Sequence, residues 1–178
     1  MPVEIDLNPV DFITIGTIGP KGKRVFHLQA AKSEQLVSLI IEKEQAWALS
    51  EALRELVDDL DTRYPLPQGK TQRPIVRSEE MELREPIAPV FRVAQMGLGY
   101  DEDHSMIVLV AQELVVQEET DELDDDPDSL DDPEEQPGVV RMWCNRTQML
   151  ALSEHAMKTV KAGRADPKQN GRLVYYWT

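Results

Sequence analysis

The stretch EQAWALSEAL, Glu44 to Leu53, returns about a hundred residues later as TQMLALSEHA, Thr147 to Ala156. In register, Gln45 matches Gln148, Ala48 matches Ala151, Leu49-Ser50-Glu51 matches Leu152-Ser153-Glu154, and Val57 matches Val160. Ala, Leu and Glu are common helix formers, so the identities alone are weak. Their weight comes from what precedes each copy, which is three strand-like runs and a polar turn.

The first set begins after a short lead. DFITIGTI (Asp11 to Ile18) has β-branched and aromatic content, and GPKG (Gly19 to Gly22) supplies turn residues. RVFHLQAA (Arg24 to Ala31) alternates, with Phe26, Leu28 and Ala30 on one face and His27 and Gln29 on the other. EQLVSLIIE (Glu34 to Glu42) is a third strand. Leu49, Leu53, Leu56 and Leu60, with Ala46 and Val57, then form the stripe of an amphipathic helix from Glu44 to Tyr64, which Pro65 ends. The second set reads VFRVAQMGLGY (Val90 to Tyr100), a DEDH turn (Asp101 to His104), SMIVLVAQELVV (Ser105 to Val116) and GVVRMWCN (Gly138 to Asn145). A helix follows from Thr147 to Ala162. Asn145 and Gln148 have capping-box spacing, and Gly163 suits the position past its end.

This order predicts an α+β fold in one compact domain, built of two pseudo-repeated strand-strand-strand-helix halves, 11–64 and 90–162. Each half alone leaves apolar surface open, and two packed together cover it. Short hairpin-linked strands predict a mainly antiparallel sheet with the helices covering one face. A Pro-rich linker or surface arm (65–89), an acidic loop (118–137) and an aromatic C-terminal tail (165–178) complete the chain.

The net charge of −14 is local. Glu118 to Glu135 holds twelve acids and no base, so the rest of the chain carries only −2. No basic block answers it, and phosphate backbones would be repelled, so no nucleic-acid partner is expected. The longest apolar run, LVSLII, is far below the ~20 residues a bilayer requires. MPVEIDLNPV has neither the basic flank nor the apolar core of a signal peptide. A cytoplasmic protein with no membrane partner is the expectation. Cys144 is the single cysteine, which forbids an intramolecular disulfide and a multi-cysteine metal site.

NPVDFITIGTIGPKGKRVFHLQA (Asn8 to Ala30), EKEQAWALSEAL (Glu42 to Leu53), FRVAQMGLGYD (Phe91 to Asp101) and VVRMWCNRTQMLALSEHAMKTVKAGR (Val139 to Arg164) together resemble a bacterial family of actinobacteria and Chloroflexi. It is the domain-of-unknown-function family three thousand and ninety. The resemblance implies no established activity. It implies genomic neighbours that include a histidine-phosphatase-like and a lipid-kinase-like protein. Many members carry a cysteine-rich zinc-knuckle segment after the final Ala-Gly-Arg. Here ADPKQNGRLVYYWT follows Ala162-Gly163-Arg164 without a cysteine, so no zinc role is carried over to it.

Candidate chemistry is sparse. His27, His104 and His155 have no paired ligand spacing. Asp101, Asp103 and His104 would need further ligands to hold a metal. Ser50 and Ser153 lie mid-helix, outside any nucleophile elbow, where small residues allow close packing. Cys144 reads as a small buried hydrophobe, and Gly16, Gly19 and Gly22 as a hairpin turn and a bulge, not a phosphate loop. No catalytic residue, metal or cofactor is assigned. Binding candidates are Arg24 and His27, the cations Lys158, Lys161 and Arg164 near the second helix end, and Tyr175, Tyr176 and Trp177 of the tail. The reading is a non-enzymatic protein-interaction or regulatory module, recognising a protein partner through strand edges or the groove between the two helices. The alternative is an enzyme acting on a phosphorylated small molecule or protein, built on Arg24, His27 and a carboxylate such as Glu51 or Glu154. Partner identity and oligomeric state are left open.

Overall fold

A computed structural model describes residues 2–116 and 136–162. The elements follow as β1 (Glu4–Leu7), β2 (Phe12–Ile18), β3 (Val25–Lys32), β4 (Gln35–Ile41), α1 (Lys43–Arg63), β5 (Pro89–Asp101), β6 (Met106–Glu113), β7 (Val139–Cys144) and α2 (Arg146–Ala162). The fold is α+β, with a mixed sheet in the order β1-β7-β6-β5-β4-β3-β2. Neighbours in sequence pair antiparallel: β2 with β3, β3 with β4, β5 with β6, and β6 with β7. Two pairings are parallel, β4 with β5 and β1 with β7. A parallel neighbour needs a long crossover, and α1 with the segment after it provides one between β4 and β5. The lead hides a strand: β1 has only four residues, too few for alternation to stand out in sequence.

The two ends of this sheet are one stretch of chain. Leu7 of β1 pairs with Met142 of β7. Val10 N then donates to Trp143 O at 2.9 Å, and the next residue, Asp11, donates from its N to Ala31 O of β3 at 2.8 Å. Laid flat, seven strands spaced ~4.8 Å apart would hold their outer members roughly 29 Å apart. The chain from Leu7 to Phe12 reaches at most about 18 Å. The sheet therefore coils until β7 and β3 meet at the Val10–Asp11 corner.

Coiling gives the sheet an inner face. Ile15, Leu28 and Leu39 from one side and Leu109, Val140 and Met142 from the other join one buried cluster with Leu49, Leu53 and Val57 of α1 and Leu152, Ala156 and Val160 of α2. Cys144 lies in the same cluster, and burial pushes its thiol up to about 12, as suits a small apolar filler. The helices cross where Ser50 meets Ser153. Ser50 Oγ donates to Ser153 O and Ser153 Oγ to Ser50 O, both at 2.6 Å. Each helix also begins alike. Asn145 and Gln148 form the expected capping box, and Glu42, read in sequence as the end of a strand, caps α1 with Gln45. Gln45 Nε2 then reaches Val93 O and Ala94 O of β5, whereas Gln148 Nε2 reaches Val10 O just before β2.

A buried ion pair ties the end of α1 to the start of α2. Arg146 Nη1 donates to Asp61 Oδ1 at 3.0 Å, with both side chains under 10% exposed. Arg146 also donates to Tyr64 O and to the Tyr100 hydroxyl, and Thr71 donates twice to Asp61. Burial alone would raise the Asp61 carboxyl. The Thr71 hydrogen bonds, with the Arg146 hydrogen bond and charge, outweigh it and hold the group below its ordinary 3.8. Removing one partner leaves a buried charge unpaired, so Asp61→Ala is expected to cost about 3–5 kcal/mol in urea unfolding. A depressed folded pKa stabilises fully above the unfolded value and is lost as pH falls through the folded value. The stability gap between wild type and Asp61→Asn should therefore be constant at neutral pH and shrink once pH drops below about 3.8. A gap independent of pH down to acid unfolding contradicts this assignment.

Candidate functional site

The fold separates the residues that sequence reading grouped for chemistry. His27 is buried on the outer face of β3, its Nδ1 3.1 Å from Val25 O. Arg24, three residues earlier on extended chain, points to the opposite side. Its Nη1 donates to Ala162 O at 3.4 Å, at the end of α2. Lys158 and Lys161 stand exposed on that helix. Glu154 is taken by Arg73, with Arg73 Nε 2.5 Å from Glu154 Oε1. His104 pairs with Asp101 in the β5–β6 turn, and its side-chain hydrogen bond is the main cause that lowers the Asp101 carboxyl. Among the described residues no group of three or more His, Cys, Asp or Glu is placed to hold a metal. Gly163, Arg164, Tyr175, Tyr176, Trp177 and the acidic residues from Glu118 to Glu135 lie outside the described residues.

The segment read as a linker or surface arm is built into the fold. After α1 it crosses to α2, where Arg73 meets Glu154, and then runs over the outer face of β2 and β3 through a single 3₁₀ turn, Ser78–Met81. Thr14 Oγ1 donates to Met81 O at 2.6 Å. Gln29 exchanges two hydrogen bonds with the Arg84 backbone, at 2.8 and 2.7 Å. The Arg84 guanidinium lies 3.7 Å from the Phe12 ring centroid. These contacts account for two polar side chains, Thr14 and Gln29, with no exposure at all. A methyl group at Gly16 would sit 2.6 Å from Leu83 Cγ, so the missing side chain is what lets the arm close down. Gly16 is thus not a bulge, and β2 pairs with β3 without a register shift. Gly19 and Gly22, with φ of 111° and 86°, do make the turn.

A second place where a helix meets a strand is open. β4 pairs with β5 only as far as Arg92, and beyond it Gln95–Asp101 is paired with β6 on one side alone among the described residues. Between that stretch and α1 lies a cavity of about 380 Å³. Ala48 and Ala52 form its helix side, Ala94 to Leu98 its strand side, and Leu109 and Leu49 its floor. Gln45 closes one end through its bonds to Val93 O and Ala94 O. Ala48, Ala52, Ala94 and Gly97 are exposed, and Met96 and Leu98 are half-buried. Two alanines and a glycine leave backbone within reach, and the β5 edge offers unpaired main-chain groups of the kind that accept an added strand. The helices touch at Ser50 and Ser153. The open site therefore lies between α1 and β5. Its elements were legible in sequence, but the end of the β4–β5 pairing that opens it was not.

The family described as "Protein of unknown function (DUF3090)" matches residues 5–170, and the chain belongs to that family. No curated protein and no solved structure matches the chain.

The arm and the open cavity make opposite demands on two glycines. Gly16→Val should displace Leu83, cost about 1–3 kcal/mol in urea unfolding, and loosen the arm so that trypsin cuts faster at its exposed Arg73, Arg77 and Arg84. A side chain at Gly97 would meet nothing within 4 Å. Gly97→Val should therefore stay within about ±0.5 kcal/mol of wild type and keep its protease resistance. Equal effects at the two sites contradict this picture.

Proposed function

We propose that this member of the family is a protein-interaction module, and that its recognition site is the groove between α1 and β5. The single observation carrying the reading is a strand edge, unpaired among the described residues, beside an apolar, small-residue cavity of about 380 Å³. Such an edge is a liability unless something covers it, and partner chains commonly do so by strand addition.

Support also comes from reading the chain as a doubled unit. In that reading β2-β3-β4-α1 corresponds to β5-β6-β7-α2. Ser50 and Ser153 exchange equivalent bonds, as positions across a twofold do. Each helix reaches with its Gln into the other half, Gln45 to β5 and Gln148 to Val10 O just before β2. The parallel pairing of β4 with the start of β5 has its counterpart in β7 with β1. The groove beside α2 is then the counterpart of the open one; there the arm supplies one wall through Pro74, Val76 and Met81, opposite Ile13 and Ala151, and a cavity of about 370 Å³ remains. The molecule already lays its own extended chain along one such groove. The enzyme alternative required Arg24, His27 and a carboxylate to converge, and the opposite directions of Arg24 and His27 give it no support.

Site-specific photocrosslinking tests the assignment. A benzophenone side chain at Ala48, irradiated in native lysate, should yield a discrete protein adduct that is absent when the probe sits at Glu102 in the exposed β5–β6 turn. Excess unlabelled wild type should suppress it, and excess Ala52→Trp should not. Identical adducts from both positions, or full competition by Ala52→Trp, would overturn the reading.

A further inference from the structure

The arm sets a precedent for what the open groove binds. Arg73 pairs with Glu154 on the rim of α2, and the residues after it alternate as in a strand. Pro74 and Val76 line the cavity between α2 and β2, while Ile75 is fully exposed. A cation on the rim and apolar side chains turned inward thus hold this extended chain along its groove. In the doubled reading, Ala48, Glu51 and Ala52 of α1 stand where α2 carries Ala151, Glu154 and His155. Two differences give the open groove its own preference. The first is charge. Glu44, Glu51 and Glu55 are exposed along one flank of α1 beside Ala48 and Ala52, and none of them is in an ion pair among the described residues. The matching positions on α2 are Thr147, Glu154 and Lys158, and that glutamate is occupied by Arg73. Lys43 and Arg54 lie about a quarter turn further round α1, away from the groove. The second difference is size: Ala52 stands in place of an imidazole, so the open groove is wider there.

We propose that the α1–β5 groove takes an extended segment of a partner protein in which Lys or Arg alternates with apolar residues. The segment adds to the free edge of β5. Its apolar side chains enter over Ala48, Ala52 and Leu98, and its cations lie over the glutamates of the α1 rim. The spacing agrees. Glu51 and Glu55 stand about 6 Å apart along the helix axis, and alternate residues of a strand are roughly 7 Å apart. A bare strand edge accepts main chain of almost any sequence, so the rim charge is what selects the partner. An acidic strand meets repulsion there, and a neutral one leaves the carboxylates unanswered. This inference rests on the interaction reading and adds to it the chemistry of the partner.

Peptide titration of the full chain, followed by amide NMR, tests the assignment. The probe is acetyl-Lys-Val-Arg-Val-Lys-Val-amide. Its controls are acetyl-Glu-Val-Glu-Val-Glu-Val-amide and the block peptide acetyl-Lys-Lys-Arg-Val-Val-Val-amide, which keeps the composition and loses the alternation. The alternating basic peptide should move the amides of Ala48, Ala52, Gly97 and Leu98 saturably and bind about tenfold or more tightly than either control. Joint Glu51→Lys and Glu55→Lys should reverse the preference between the basic and acidic peptides while the core amides stay in place, since both residues are exposed. Joint Glu51→Gln and Glu55→Gln, which removes the charge without reversing it, should fall between wild type and that variant. Groove amides unmoved by the basic peptide overturn the proposal. So does equal affinity for the block peptide, or an affinity that the charge reversal leaves unchanged because the acids of residues 118–135 hold the peptide instead. The chemistry and the site can fail separately. A lysate adduct from Ala48 that persists unchanged under the charge reversal overturns the basic partner and leaves the site, whereas groove binding of the basic peptide stands without any lysate adduct.

Discussion

Two hydroxyls set the centre of this molecule. Ser50 and Ser153 each donate to the other's backbone carbonyl, and only side chains that small let two helices approach so closely. Each bond contributes about 1 kcal/mol. The larger effect is positional. With the helices in contact, Leu49, Leu53 and Val57 of one and Leu152, Ala156 and Val160 of the other all face the coiled sheet and seal its inner face. Burying each large aliphatic side chain contributes about 1.5–3 kcal/mol, so the crossing governs far more stability than it supplies directly.

The arm-lined and the open groove both follow from this centre. Each helix start sends a glutamine amide to the other half, Gln45 to β5 and Gln148 to Val10 O just before β2. What differs is the cover. Beside β2, residues of the arm satisfy Thr14 and Gln29 and shield Phe12 and Gly16. Beside β5, the corresponding outward positions are Gln95, whose amide donates to Gln112, and Gly97 and Gly99, which carry no side chain. One outer surface is finished by the chain's own arm, and the other exposes backbone and alanine. The open groove arises from that difference without any strained or unusual residue.

Much of the architecture was legible because its signals are periodic. β-branched and apolar runs placed β2, β4 and β7, and alternation placed β3, to within about two residues; the leucine stripe gave α1, and its echo with the capping-box spacing gave α2. The features missed are those that period cannot encode. β1 is four residues long, and its parallel partner β7 lies more than a hundred residues away. Arg146 carried no reading in the sequence, and the approach of Asp61, Tyr64 and Tyr100 makes it a buried anchor. The arm resembled a linker because proline and charge break every local pattern, although the buried outward positions Thr14 and Gln29 were mute evidence of a cover. The open groove depends on where β4 stops pairing with β5, a matter of sheet curvature. The charged and aromatic residues singled out for binding were chosen by composition, which identifies unusual residues but not the surfaces they meet.

The most direct test of the account is a double-mutant cycle at the helix crossing, read by urea unfolding. If the crossing is a reciprocal contact between equivalent positions, Ser50→Ala and Ser153→Ala should each cost about 1 kcal/mol and agree within about 0.5 kcal/mol. The double variant should show a coupling of at least about 0.5 kcal/mol, as neighbours do. One costly and one neutral substitution, with no coupling, would show that the helices do not meet as equivalents and would contradict the account at its root.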